Sequence, residues 1–426
     1  MKIRILFAVS LLLFSMFVIA QSKIPVKPRI IISSDIGGTD PDDNQSLAHF
    51  LMYSEKFNTE GIISSPSFGE GSKKEILRMI DVYEKDYSRL SKHISGLMKP
   101  DYLRSITKQG RKGSAPFCGF TKSTEGSEWI VKCARKKSRQ PLWILVWGGL
   151  EDVAQALHDA PDIKNKIRIY WIGGPNKKWS VNCYAYIAEH FPDLWIIENN
   201  VSYRGFIYDS SNNDKYNCGY YENFIKGAGN LGTDFLSYYN GNPKLGDTPS
   251  LLYMMDGDPD NPLKESWGGS FEKTSHTSRI IFDRPATPQD SVPAYSVLEF
   301  YVKGPVKNDI AADSICFTLT IAKQKWSGYY LGNGNYAVRH SSYYIGTLPY
   351  TITSSIEGFP EHEGSITLIN KWPGIKRESD YNLGNCWYTD RYDPELFIKH
   401  MQGAKTVYKW RNDAMANWGE RWNWLK

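Results

Sequence analysis

The chain has 426 residues, 41% hydrophobic, 23% charged and 14% aromatic. That composition excludes wholesale disorder, and the length suits two or three domains. With 51 Lys and Arg against 46 Asp and Glu, the net charge of +5 is too small and too scattered to imply nucleic acid as a partner.

In chain order, Met1-Lys-Ile-Arg4 precedes an apolar run from Ile5 to Ala20. The run is shorter than the ~20 residues a membrane span needs. Two early positive charges and a small residue at Ala20 predict a secretory signal peptide over 1–20. A periplasmic or extracellular protein follows, with no stable membrane insertion after cleavage. The six cysteines (118, 133, 183, 218, 316 and 386) lack zinc-site spacing and read as mostly buried free thiols.

From Pro28 onward, strand-like and helix-like segments alternate. Ile30–Ser34, Gly61–Ser65, Leu142–Trp147, Ile167–Ile172 and Leu194–Glu198 read as strands. Asn44–Tyr53, a segment from Ser72 opened by a capping-box pattern with Glu75, Trp129–Lys137 and Glu151–His158 read as helices. This order predicts an α/β fold with a doubly wound, mostly parallel sheet. Near Thr274 the helical period fades. Alternating segments at 296–302, 314–321, 336–340, 347–354 and 365–369 predict a small inserted antiparallel β-sandwich. Helical pattern returns at Pro394–His400 and around Trp410–Trp424.

The chemistry concentrates in Ser34-Asp-Ile-Gly-Gly-Thr-Asp-Pro-Asp-Asp43. Four carboxylates fall within nine residues, between a buried strand and a helix. Crowded carboxylates repel, and a divalent cation relieves them. An Asp-rich capping turn is the alternative. In parallel sheets, ligands bind beyond the C-terminal strand ends, which is where Asp35, Gly148 and Gly173 fall.

A strand followed by Asp-x-x-Gly, an Asp pair and a helix resembles the nucleoside hydrolase signature, with three extra residues before the pair. The longer form is similar to that of the bacterial secreted cellulose-binding, nucleoside-hydrolase-like family. Trp147-Gly-Gly-Leu-Glu-Asp-Val-Ala154, His190-Phe-Pro-Asp-Leu194, Gly246-Asp-Thr-Pro-Ser250, Trp267-Gly-Gly269 and Tyr408-Lys-Trp-Arg-Asn-Asp413 resemble its further landmarks. The likeness covers about 28–272 and 386–426, so 273–385 is read as the inserted sandwich and 386–426 as completing the α/β domain.

The resemblance implies a Ca²⁺ site formed by Asp35, Asp43, Asp247 and the backbone carbonyl of Glu151. It implies Asp35 as general base and Asp42 as holder of sugar hydroxyls, with Asn182 in contact with the sugar. Trp147, Trp179 and Trp267 are candidates for stacking on sugar faces. Nucleoside hydrolases carry His before the distant metal-binding Asp. Here that position is Gly246, and Ile62-Ile-Ser-Ser-Pro66 lacks their downstream Gly-Asn pair. Both departures argue against a nucleoside substrate.

The implied function is a secreted, Ca²⁺-dependent glycosidase acting on a glycan or glycoside. A non-catalytic carbohydrate-binding protein on the same fold is the alternative, and a true nucleoside hydrolase the third reading. The stretch Gly328–Arg339 with Gly346-Thr-Leu-Pro-Tyr350 resembles immunoglobulin-like modules preceding some bacterial glycoside hydrolases. It reads as a rigid wall beside the site or as a carbohydrate-binding module.

Overall fold

A computed structural model describes residues 27–426; the predicted signal peptide lies outside them. The first sheet has eight strands in the order Thr107–Gln109, Asn58–Ser64, Arg29–Ser34, Leu142–Val146, Ile167–Ile172, Trp195–Asn199, Trp387–Asp390 and Phe271–Lys273. Seven run parallel, and the last is antiparallel to its neighbour.

Successive side chains of a strand face opposite ways, and the first strand uses both faces. Ile30 and Ile32 join a core with the helices Asp42–Met52 and Lys73–His93. Ile31 joins a second core with the helices Glu151–Asp159 and Val181–His190. Burial on both sides explains the unbroken apolar run. Each such isoleucine contributes roughly 1.5–3 kcal/mol relative to exposure. Ser72 caps the second of these helices, its Oγ accepting from the Glu75 amide at 3.2 Å.

Trp418 and Trp422, from the helix Arg411–Asn423, are fully buried in the same core as Ile30. Between the two parts of this layer, a second eight-stranded sheet spans Arg279–Phe282 to His362–Ile369. It is mostly antiparallel, with a parallel pair at each edge. All eight strands feed one core around Phe300, Leu319, Tyr336 and Ile352. The segment 394–400, expected to be helical, is not an α-helix. It holds one short turn, Pro394–Leu396, and Lys399 adopts a positive φ of 56° that ends any helix there. All six cysteines are free, but only Cys133 and Cys183 are buried; the other four, Cys316 within the strand Ile315–Ile321 and the rest in loops, are partly exposed. Among the described residues, no helix is long and apolar enough to cross a membrane.

Candidate functional site

The first strand releases the chain at Asp35, and the helix Asp42–Met52 takes it up. Ser34 ties the two ends of this turn together. Its Oγ donates to Asp43 Oδ1 at 2.5 Å and accepts from the Ile36 amide at 3.1 Å. Asp247 arrives from the far end of the layer, just before the helix Thr248–Met255. Gln45 fixes that approach: its Oε1 accepts from the Lys244 and Leu245 amides, and its Nε2 donates to the Asn242 carbonyl.

Carboxylate oxygens of Asp42, Asp43 and Asp247 thereby lie within 4.8 Å of one another. Asp43 and Asp247 are buried, and Asp247 Oδ2 has no hydrogen-bond partner. The expected carboxylate trio is Asp35, Asp43 and Asp247; Asp42 takes the place of Asp35 in the cluster, and Asp35 adjoins it through Asp43. Burial pushes the Asp35 carboxyl up to about 6, against hydrogen bonds from Asp43 and Ser67 that hold it down. Burial pushes Asp42 up to about 7, partly offset by Lys244, whose Nζ stands 3.3 Å from its carboxylate. Asp43 and Asp247 are raised well above the carboxylate range by burial and by their acidic neighbours. A buried carboxylate oxygen without a donor, in an all-oxygen cluster, fits a hard divalent cation.

These residues line a cleft of about 340 Å³. Asp35, Asp42, Asp43, Asp247, Trp147 and Trp179 all face it, as does Lys244. Two glycines make room. At Gly148 a Cβ would lie 2.7 Å from Asp35 Cβ; at Gly246 it would lie 2.2 Å from Asp42 Oδ2. Glycine at 246 thus lets the Asp42 carboxylate lie against the backbone.

Three expected residues lie elsewhere. Glu151 is the first residue of its helix, so its carbonyl points into the helix's own hydrogen-bond ladder. Its carboxyl, pushed up to about 8 by burial, accepts from Ser180 Oγ at 3.0 Å. Asn182 is turned toward the 115 loop, its Nδ2 donating to the Ala115 carbonyl at 3.0 Å. Trp267 lines a separate groove with Tyr53 and Trp424, because the chain there runs beneath the closing helix.

The asparagine in the cleft is Asn176. Its Nδ2 donates to the carbonyls of Trp147 (2.7 Å) and Ile172 (3.0 Å), and its Oδ1 accepts from Ser67 Oγ at 2.6 Å. It joins three loops at the strand ends. Its sequence signal was its place right after Gly173-Gly174-Pro175. Phe68, Tyr203, Arg204, Gln324 from the second sheet and Tyr343 from the loop between its strands Asn335–His340 and Gly346–Thr353 also line the cleft and carried no motif. Phe68 is 58% exposed and sits 4.9 Å from Trp179, whose ring in turn meets Trp326 at 4.4 Å. An aromatic wall therefore faces the acidic cluster.

The profile of the family described as "Cellulose-binding Sde182, nucleoside hydrolase-like domain" matches residues 29–271. No curated protein sequence matches the chain significantly. Among solved structures, a nucleoside hydrolase-related hypothetical protein from Saccharophagus degradans, associated with carbohydrate metabolism, is 19% identical. The match covers 81% of this chain and 100% of that one, with a TM-score of 0.49. An inosine-uridine preferring nucleoside hydrolase from Bacillus anthracis is 14% identical over 60% of this chain and 87% of its own, with a TM-score of 0.38. A putative glycoside hydrolase from Bacteroides vulgatus is 27% identical over 19% of this chain and 16% of its own, with a TM-score of 0.17.

Proposed function

Because the chain belongs to the cellulose-binding Sde182, nucleoside hydrolase-like family, we propose that it is an exported Ca²⁺-dependent hydrolase of glycosidic bonds in a glycan or glycoside. The observation that carries this reading is the convergence of Asp42, Asp43 and Asp247 within 4.8 Å, with Asp247 Oδ2 buried and unpartnered. Asp43, Asp247 and Asp42 would hold the ion. A bound Ca²⁺ supplies charge balance and Lewis acidity.

Asp35 takes the proton from the attacking water, its carboxyl lying beside Asp43 and Ser67. Asp42, only partly covered, accepts from a sugar hydroxyl, and Lys244 holds that carboxylate in place. The anionic cluster stabilises the positive charge that develops at the anomeric carbon. Trp179 and Phe68 offer ring faces to the sugar. The signal peptide read in the sequence would direct the enzyme to the periplasm or outside the cell.

One observation favours a second reading, a non-catalytic carbohydrate-binding protein: no histidine lines the cleft among the described residues, and position 246 is glycine. Leaving-group protonation then has no obvious donor. Turnover of aryl glycosides, cello-oligosaccharides and nucleosides, with and without Ca²⁺, separates the readings. Asp35→Asn is expected to cut turnover about 10²–10⁴-fold while sugar binding survives. Binding of glycans with no turnover of any substrate in Ca²⁺ would establish the second reading.

A further inference from the structure

A second cavity lies against the first. It is a groove of about 970 Å³ on the second sheet, and Lys178, Gln324 and Tyr343 line both it and the acidic cleft. These three form a common lip. Lys178 Nζ donates to Gln324 Oε1 at 2.9 Å and stands 5.5 Å from the Tyr343 ring centre. Beyond the lip the floor is a row in register across three strands, Thr320 beside Thr351 and Thr351 beside Glu363. Tyr344, 55% exposed, forms a flank.

His340 also lines the groove. It is buried, and its Nδ1 has no hydrogen-bond partner. Its ring packs edge-on against Trp326, 4.9 Å between centres, which closes the groove's inner wall.

Hydroxyls and an amide set among Pro288, Leu348 and Pro349, with a tyrosine flank and few charges of mixed sign, suit the mixed polar and apolar faces of a neutral sugar chain better than a polyanion. The groove has nearly three times the volume of the cleft and opens into it. We infer that the groove on the second sheet is a row of subsites for an extended neutral glycan, one end of which enters the acidic cleft. The inference rests on the cleft being a sugar site. It adds that the inserted sheet helps select long chains over short ones.

Calorimetry of the full chain with cellobiose and cellohexaose in Ca²⁺ tests it. Cellohexaose is expected to bind at least tenfold more tightly than cellobiose. Thr351→Trp, on the exposed sheet face, fills the groove and should bring cellohexaose down to the cellobiose level while cellobiose affinity and melting temperature stay unchanged. Tyr344→Ala, a milder change, should weaken cellohexaose several-fold and leave cellobiose alone. Affinity independent of length in the unmodified protein, or length dependence surviving Thr351→Trp, overturns the inference. Asp247→Asn separates it from the cleft reading. If that variant loses cellobiose but still binds cellohexaose in a manner Thr351→Trp abolishes, the groove stands. If no sugar turns over while length dependence persists, the catalytic reading fails and the groove is kept.

Discussion

Glu198 and Asp43 are both buried carboxylates at the C-terminal edge of the same parallel sheet, and their surroundings are opposite. Glu198 is fully enclosed and fully satisfied. It accepts from Lys177 Nζ at 2.7 Å, Asn200 Nδ2 at 2.8 Å and Tyr184 Oη at 2.6 Å. Lys177 lies 3.7 Å from the Tyr184 ring centre and 4.0 Å from that of Trp372. Nearby Asp390 accepts from the amides of Asn200, Val201 and Ser202, which splices the strand Trp387–Asp390 to the sheet. Asp43 has one hydroxyl donor, Ser34, and faces Asp35, Asp42 and Asp247. The contrast separates two uses of buried charge. Where donors match acceptors, charge fixes the fold; where acceptors crowd without donors, the fold holds acceptors ready for a cation.

The comparison breaks most sharply at Lys177. Lys177→Met leaves Glu198 buried without its cation and should destabilise by about 3–5 kcal/mol, read by chemical denaturation. Adding Glu198→Gln should recover a good part of that. If Lys177→Met melts like the parent, the Glu198 cluster is not a fold-fixing one.

Asp247→Asn should do the reverse. With chelator present it removes a repelling, partnerless carboxylate, so the melting temperature should rise by on the order of a few degrees. The gain from added Ca²⁺ should vanish. A fall in melting temperature with chelator would place Asp247 with Glu198 as a structural group.

The pH dependence sharpens the same point. The Asp35 and Asp42 carboxyls titrate near 6 and 7 in the fold, against about 3.9 in an unfolded chain. Between these values the native state binds more protons than the unfolded one, so stability falls as pH rises. Melting in chelator should therefore drop from pH 4 to 8. Ca²⁺ should raise the melting temperature more at pH 8 than at pH 5, because at pH 5 it must displace protons. An equal Ca²⁺ effect at both values would disconnect the ion from these carboxyls. The smallest effect belongs to the aromatic wall: Phe68→Ala should weaken sugar binding by about 0.5–1.5 kcal/mol with stability unchanged, measured by titration.

How much of this the sequence discloses depends on whether the signal is local. The alternation of strands and helices is local, and the parallel layer follows from it. The acidic turn is local too, and Asp35, Asp42 and Asp43 meet Asp247 and Trp179 in one cleft. Trp387–Asp390 is four residues without a pattern, and only its pairing with Trp195–Asn199 and Phe271–Lys273 makes it a strand. Asn182 and Asn176 are six positions apart after the same strand, and spacing alone does not say which one turns inward. Glu151 misleads because a helix's first carbonyl belongs to the helix. Tyr343 and Gln324 reach the cleft from an insertion, and nothing in their neighbourhood announces it.

Gly246 carries one more consequence. Asp42 Oδ2 lies 2.2 Å from where the first side-chain atom at 246 would be. A side chain at 246 is therefore accommodated only if the Asp42 carboxylate turns aside, which also disturbs its ion pair with Lys244. The two positions are coupled, so Gly246→His and Asp42→Gly should combine non-additively.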